Sequence, residues 1–191
     1  MADQYCGSHI CSSDLSLMRG VTSKSRVLRE LWNSQLPDHV VGVAWRSDGS
    51  LLAAASVSGP IHVLQARDGS PHATFAGHGF GNIGVAWSRD SHLLASAGQD
   101  GLVKVWDVER KDLAWSDKAS APWAESVAWS PDGALLAVAA GKGVRLWDCQ
   151  GQLLRTFGPH SSTVLDIAWK PHSHQLAATS YACFTLCYAG E

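Results

Sequence analysis

From residue 38 onward the chain runs through the same order of apolar and polar stretches four times. Val-Ala-Trp or a near match stands at Val43–Trp45, Val85–Trp87, Val127–Trp129 and Ile167–Trp169, so the tryptophans recur at intervals of 42, 42 and 40 residues. A polar turn and a small apolar run follow each time: RSDGSLLAAAS, SRDSHLLASAG, SPDGALLAVAA and KPHSHQLAATS. A third run comes next, as PIHVLQ, LVKVWD, GVRLWD and CFTLCY, and the stretches PHATF, KDLAW and QLLRTF separate one unit from the next. Runs of about five residues bounded by Gly, Asp, Ser and Pro predict strands, four to a unit. The second run is apolar throughout and rich in alanine and serine, the composition of a strand covered on both faces. Residues 27–33 fit either one short helical turn, through Val27, Leu28, Leu31 and Trp32, or a strand; the strand is preferred.

Four strands recurring every 40 to 45 residues predict an all-β chain of propeller blades, each shielding the next. The expected organisation is a flexible N-terminal tail over 1–26 and a repeat region over 27–191. Its units span about 38–76, 77–118, 119–158 and 159–191.

The second unit resembles the WD-repeat family closely, with Gly77-His78 at its start, LASAGQDGLVKVWD from Leu94 to Asp107, and Trp106-Asp107 at its end. The resemblance implies a structural tetrad of hydrogen bonds among His78, Ser96, Asp100 and Trp106. Imidazole, hydroxyl and carboxylate can pass hydrogen bonds inward, and the buried indole N–H needs an acceptor. The other units depart from the pattern. The first has His39 but Ala54, Ser58 and Leu64 in the remaining slots. The third keeps Trp147-Asp148 but has Val138 for serine and no histidine. The fourth keeps His160 but has Ala178 and Cys187.

Four blades can form an open arc or a closed four-bladed ring. The arc is expected, because rings of the family it resembles typically have seven blades. The degenerate ending YACFTLCYAGE suggests truncation, and an arc would expose an apolar blade face. Closure would instead use residues 27–33 as the fourth strand of the last unit.

Composition narrows the function classes. The 191 residues include 46% hydrophobic ones, enough for a core. A net charge of −2 gives no signal for nucleic acid. The five cysteines, at irregular spacings, do not suggest a disulfide framework. Apolar runs such as Leu51 to Ala55 are far shorter than the roughly 20 residues of a membrane helix. The first 26 residues lack the apolar centre of a secretion signal. A soluble, cytoplasmic protein is expected.

Four patterns suggest chemistry and are read otherwise. Gly79, Gly81 and Gly84 spell G-x-G-x-x-G, but a strand follows where dinucleotide binding needs a helix. Cys6, His9 and Cys11 offer three metal donors without a fourth at zinc spacing. Cys183 and Cys187 lack a partnering histidine. His78, Ser96 and Asp100 have the members of a hydrolase triad, but a triad is defined by geometry and roles. No catalytic, cofactor or metal site is therefore expected. The function read from the sequence is a non-catalytic scaffold binding a protein or peptide on the rim that carries His39, Phe80, Trp123 and Pro159. Self-association through terminal blades is a further possibility. The alternative is a regulatory fragment of a larger enzyme or a propeller hydrolase.

Overall fold

The structure, a computed structural model, describes residues 29–181 and 183–188. The tail expected over 1–26, with Cys6, His9 and Cys11, lies outside them. Four antiparallel sheets follow one another along the chain, each strand bonding to its neighbours in sequence. The first comprises β1 (Val40–Trp45), β2 (Leu51–Ser56), β3 (Ile61–Gln65) and β4 (Pro71–Phe75), and the second β5 (Asn82–Trp87), β6 (Leu93–Gly98), β7 (Leu102–Asp107) and β8 (Asp112–Lys118). The third comprises β9 (Ala124–Trp129), β10 (Leu135–Ala140), β11 (Gly143–Asp148) and β12 (Leu153–Phe157). The fourth has three strands among the described residues, β13 (Val164–Trp169), β14 (Gln175–Ser180) and β15 (Cys183–Tyr188).

Each sheet is a blade, and register is shared between blades. Trp45, Trp87, Trp129 and Trp169 all pair with a leucine on the second strand: Leu52, Leu94, Leu136 and Leu176. Each first-to-second strand pair also carries one irregularity near the start of the first strand. Shared register puts equivalent positions at each blade junction.

The core lies between the blades as three apolar clusters. Ala53, Ala55, Val63 and Phe75 of the first blade meet Trp87, Leu94 and Trp106 of the second. Ala95, Val103 and Val105 then meet Trp129, Leu136 and Trp147, and Ala137, Ala139 and Leu146 meet Ile167, Leu176 and Cys187. Side-chain size varies across the first junction, small near the inner strands and large toward the outer ones. Near the inner strands a Cβ on Gly42 would stand only 3.8 Å from the Gly84 Cα. Farther out, Phe75 stacks on Trp106 with ring centroids 5.2 Å apart.

The blades form an open arrangement, and the closed four-bladed ring is excluded. Both outer faces show it. Trp45 is 59% exposed whereas Trp87 and Trp129 are 8% exposed, and at the other end Phe184 is 80% exposed. The strand expected over 27–33 is corrected as well: residues 29–36 carry no strand, and 27 and 28 lie outside the described residues. A strand needs a neighbouring edge to satisfy its backbone groups, and among the described residues no strand pairs with this segment. Trp32 nevertheless is anchored, its indole N–H donating to the Ala66 carbonyl at 2.8 Å.

Candidate functional site

The second blade holds a continuous chain of hydrogen bonds. The Trp106 indole N–H donates to the Ser96 hydroxyl at 3.0 Å, and Ser96 lies 2.8 Å from His78 Nε2. His78 Nδ1 lies 2.7 Å from the Asp100 carboxylate. One proton arrangement satisfies all three contacts. Ser96 donates to Nε2 of a neutral imidazole, whose Nδ1–H donates to Asp100. Gly98 makes room for the ring, since a Cβ there would overlap the His78 side chain.

The electrostatics agree with that arrangement. Burial pushes the His78 imidazole below its ordinary pKa despite the nearby Asp100 carboxylate. Burial alone would raise Asp100, but hydrogen bonds from His78 and the Gly79 and Leu102 amides outweigh it and hold the carboxyl below its usual range. Sequence reasoning missed Lys104, whose ammonium donates to the Gly77 carbonyl at 2.5 Å and lies 3.7 Å from Asp100.

Distances alone would pass Ser96, His78 and Asp100 as a catalytic triad. Access decides against it. Ser96 and His78 are buried, and the serine oxygen already accepts the Trp106 indole. No substrate carbonyl can reach that oxygen while the blade is folded.

The remaining blades replace the tetrad with other devices. In the third, the Trp147 indole donates at 2.9 Å to Asp117, on the outermost strand of the second blade. In the fourth, His160 Nδ1 lies 3.3 Å from the Thr185 hydroxyl, its Nε2 is buried without a partner, and Cys187 packs in the tryptophan slot. Burial raises the Cys187 thiol, and Cys183 is exposed. In the first blade His39 stays at the surface, its ring nitrogen 3.0 Å from Asp38.

The turns after the innermost strands are tied to one another. Ser47 donates to the Arg89 carbonyl at 3.0 Å, Arg89 to the Pro131 carbonyl at 2.7 Å, and His174 meets Asp132 at 2.6 Å. Burial works to raise Asp132, but hydrogen bonds from Ser130, His174 and the Ala134 amide outweigh it and bring its pKa down to about 2. Among the described residues no group of three or more His, Cys, Asp or Glu side chains could hold a metal ion.

The opposite rim is formed by the loops entering the innermost strands. His39 precedes β1, Phe80 precedes β5, Trp123 precedes β9, and Pro159, after a cis peptide bond, precedes β13. All four are exposed, Phe80 at 77% and Trp123 at 58%. Trp123 borders a groove of about 390 Å³ with Pro122, Glu125, Gly141 and Thr163.

Comparison with known proteins matches this geometry. The family model described as WD domain, G-beta repeat matches residues 69–107, 120–148 and 151–185. The designed protein Ika4 has a similar crystal structure, with a TM-score of 0.76 and 20% identity over 86% of this chain and 100% of that one. A chain of the mitotic checkpoint complex crystal structure is similar at a TM-score of 0.65 and 27% identity, over 76% of this chain and 49% of that one. The present chain thus spans about half the length of that relative. No curated protein matches the sequence.

Proposed function

Because the chain belongs to the WD domain, G-beta repeat family, whose fold is often used for protein–protein interaction, we propose that it is a non-catalytic scaffold presenting its entry-loop rim to a protein or peptide. The observation that carries this reading is the pair of exposed aromatics on that rim, Phe80 and Trp123, with a groove beside the second. Aromatic side chains set beside a pocket supply much of the binding energy at interfaces. The sealed Ser96 favours binding over hydrolysis. A site for hydrolysis would need that hydroxyl at a surface.

The test is binding of a peptide library to the purified chain and to Phe80→Ala and Trp123→Ala. A hot-spot role predicts a loss of about 2 kcal/mol or more, roughly thirtyfold in Kd. Saturable binding that both variants retain would move the site elsewhere. A second reading is favoured by the exposed Trp45 and Phe184: the terminal blades also bind one another between copies.

A further inference from the structure

Three features at the two ends of the arc match parts of the blade junction that the chain builds internally. The first is Trp32. Within the arc Trp115, on the outermost strand β8, caps the third blade: its indole donates to the Cys149 carbonyl at 3.1 Å, and a Cβ on Gly151 would stand 2.8 Å from its ring. Trp32 caps the first blade in the same manner, donating to Ala66 at 2.8 Å, with a Cβ on Gly69 falling 2.7 Å from its ring. Ala66 and Gly69 lie in the β3–β4 turn, as Cys149 and Gly151 lie in the β11–β12 turn. Trp32 therefore sits where the outermost strand of a preceding blade would place it.

The second feature is the free edge of β15. In the other three sheets the third strand pairs with a fourth, whereas β15 pairs only with β14 among the described residues. An open groove of about 450 Å³ lies beside that edge, lined by Phe157, Pro159, Cys183, Thr185 and Cys187. The third is Trp45. At two of the three junctions the tryptophan donates across, Trp87 to the Ala44 carbonyl at 2.9 Å and Trp169 to Ala128 at 3.1 Å, in each case the residue before the tryptophan of the preceding blade, whereas Trp129 Nε1 makes no such bond. No blade precedes Trp45 among the described residues, and the equivalent carbonyl at the far end of the arc belongs to Ala168.

We infer that a second copy of this chain completes the arc, the segment around Trp32 of each copy adding as the fourth strand to β15 of the other. This rests on the reading that terminal blades self-associate and specifies how they do so. The partner strand follows from register. Trp115 pairs with Val105, whose equivalent in the fourth blade is Leu186, so Trp32 pairs with Leu186 and Ser34 with Phe184. The same docking brings Trp45 against the Ala168 carbonyl of the second copy. Such a head-to-tail contact is heterologous and ends growth only by closing a ring. Two arcs of four blades close one ring of eight, in which β15 of each copy gains the fourth strand that the other three sheets already have.

The experiment is sedimentation of the purified chain with hydrogen–deuterium exchange followed across a dilution series. The expected result is a dimer of twice the monomer mass. Amides of residues 31–35 and of β15 should exchange at least tenfold more slowly in the dimer than after dilution to monomer. Ser34→Pro, which cannot donate to β15, and Trp45→Glu should each sediment as monomers with the strand circular dichroism intact. A dimer without that protection overturns the strand addition while leaving self-association standing. A monomer at all concentrations overturns both, and an open-ended ladder of oligomers overturns the closed ring.

Discussion

The Trp147 indole of the third blade donates to the Asp117 carboxylate of the second across 2.9 Å. Trp106 in the second blade finds its acceptor within its own sheet, in Ser96. The third blade has Val138 at that position, and the acceptor comes from a different strand of a different blade. A partner stabilises a buried indole N–H whichever sheet supplies it.

Asp117→Ala should therefore destabilise the fold by about 1–3 kcal/mol, because it leaves the Trp147 donor buried and unsatisfied. Asp117→Asn retains an acceptor oxygen and should recover most of the loss. Urea denaturation of the three proteins measures this.

Ser96→Ala should cost a similar amount, about 1–3 kcal/mol, since it strands both Trp106 Nε1 and His78 Nε2. It should change no esterase or peptidase turnover. Hydrolysis by the wild-type chain that disappears in the folded variant would contradict the buried role given to this hydroxyl.

Stability should fall as pH drops below about 6.5. The unfolded chain protonates His78 near the usual histidine pKa of about 6.5, whereas burial keeps the folded imidazole neutral to lower pH. Between those two values the unfolded state binds more protons, so acid favours it. The stabilisation is complete above the unfolded pKa and is lost progressively beneath it. His78→Gln should be less stable at pH 7, yet its stability should vary less between pH 7 and 5. Chemical denaturation across that range tests both halves.

Trp87→Ala should cost about 3–5 kcal/mol, as it empties part of a blade junction and removes the bond to Ala44. Trp45→Ala, measured in a sample too dilute to self-associate, should change stability by no more than about 0.5 kcal/mol. Both tryptophans end a Val-Ala-Trp tripeptide, and thermal melts of the two variants isolate the effect of a neighbouring blade.

Asp132→Asn should flatten the stability profile between about pH 4 and pH 2. Its folded pKa of about 2 lies below the unfolded value, so its contribution is present above about pH 4 and lost as pH falls through the folded value. The side chain is half exposed, and solvent screening keeps the effect under about 1 kcal/mol. Acid titration of the folded fraction, followed by circular dichroism, measures it.

The repeat was legible because blade packing is local and periodic. Trp45, Trp87, Trp129 and Trp169 mark first strands, and the alanine-rich runs mark second strands sealed on both faces; composition and spacing alone carry that information. His78, Ser96, Asp100 and Trp106 could be picked out because the residue types that can chain hydrogen bonds are few. Beyond one blade the sequence became ambiguous. Asp117 is an ordinary strand aspartate until the third blade turns Trp147 toward it, and Lys104 gives no sign of its bond to Gly77. Residues 27–33 suggested a strand, but a strand exists only beside another edge, and no local pattern says whether one is near. The choice between arc and ring belonged to the tertiary structure for the same reason. It depends on a wedge summed over three junctions, and at the first of them Gly42 and Gly84 bring the inner strands together while the stacked Phe75 and Trp106 fill the outer side.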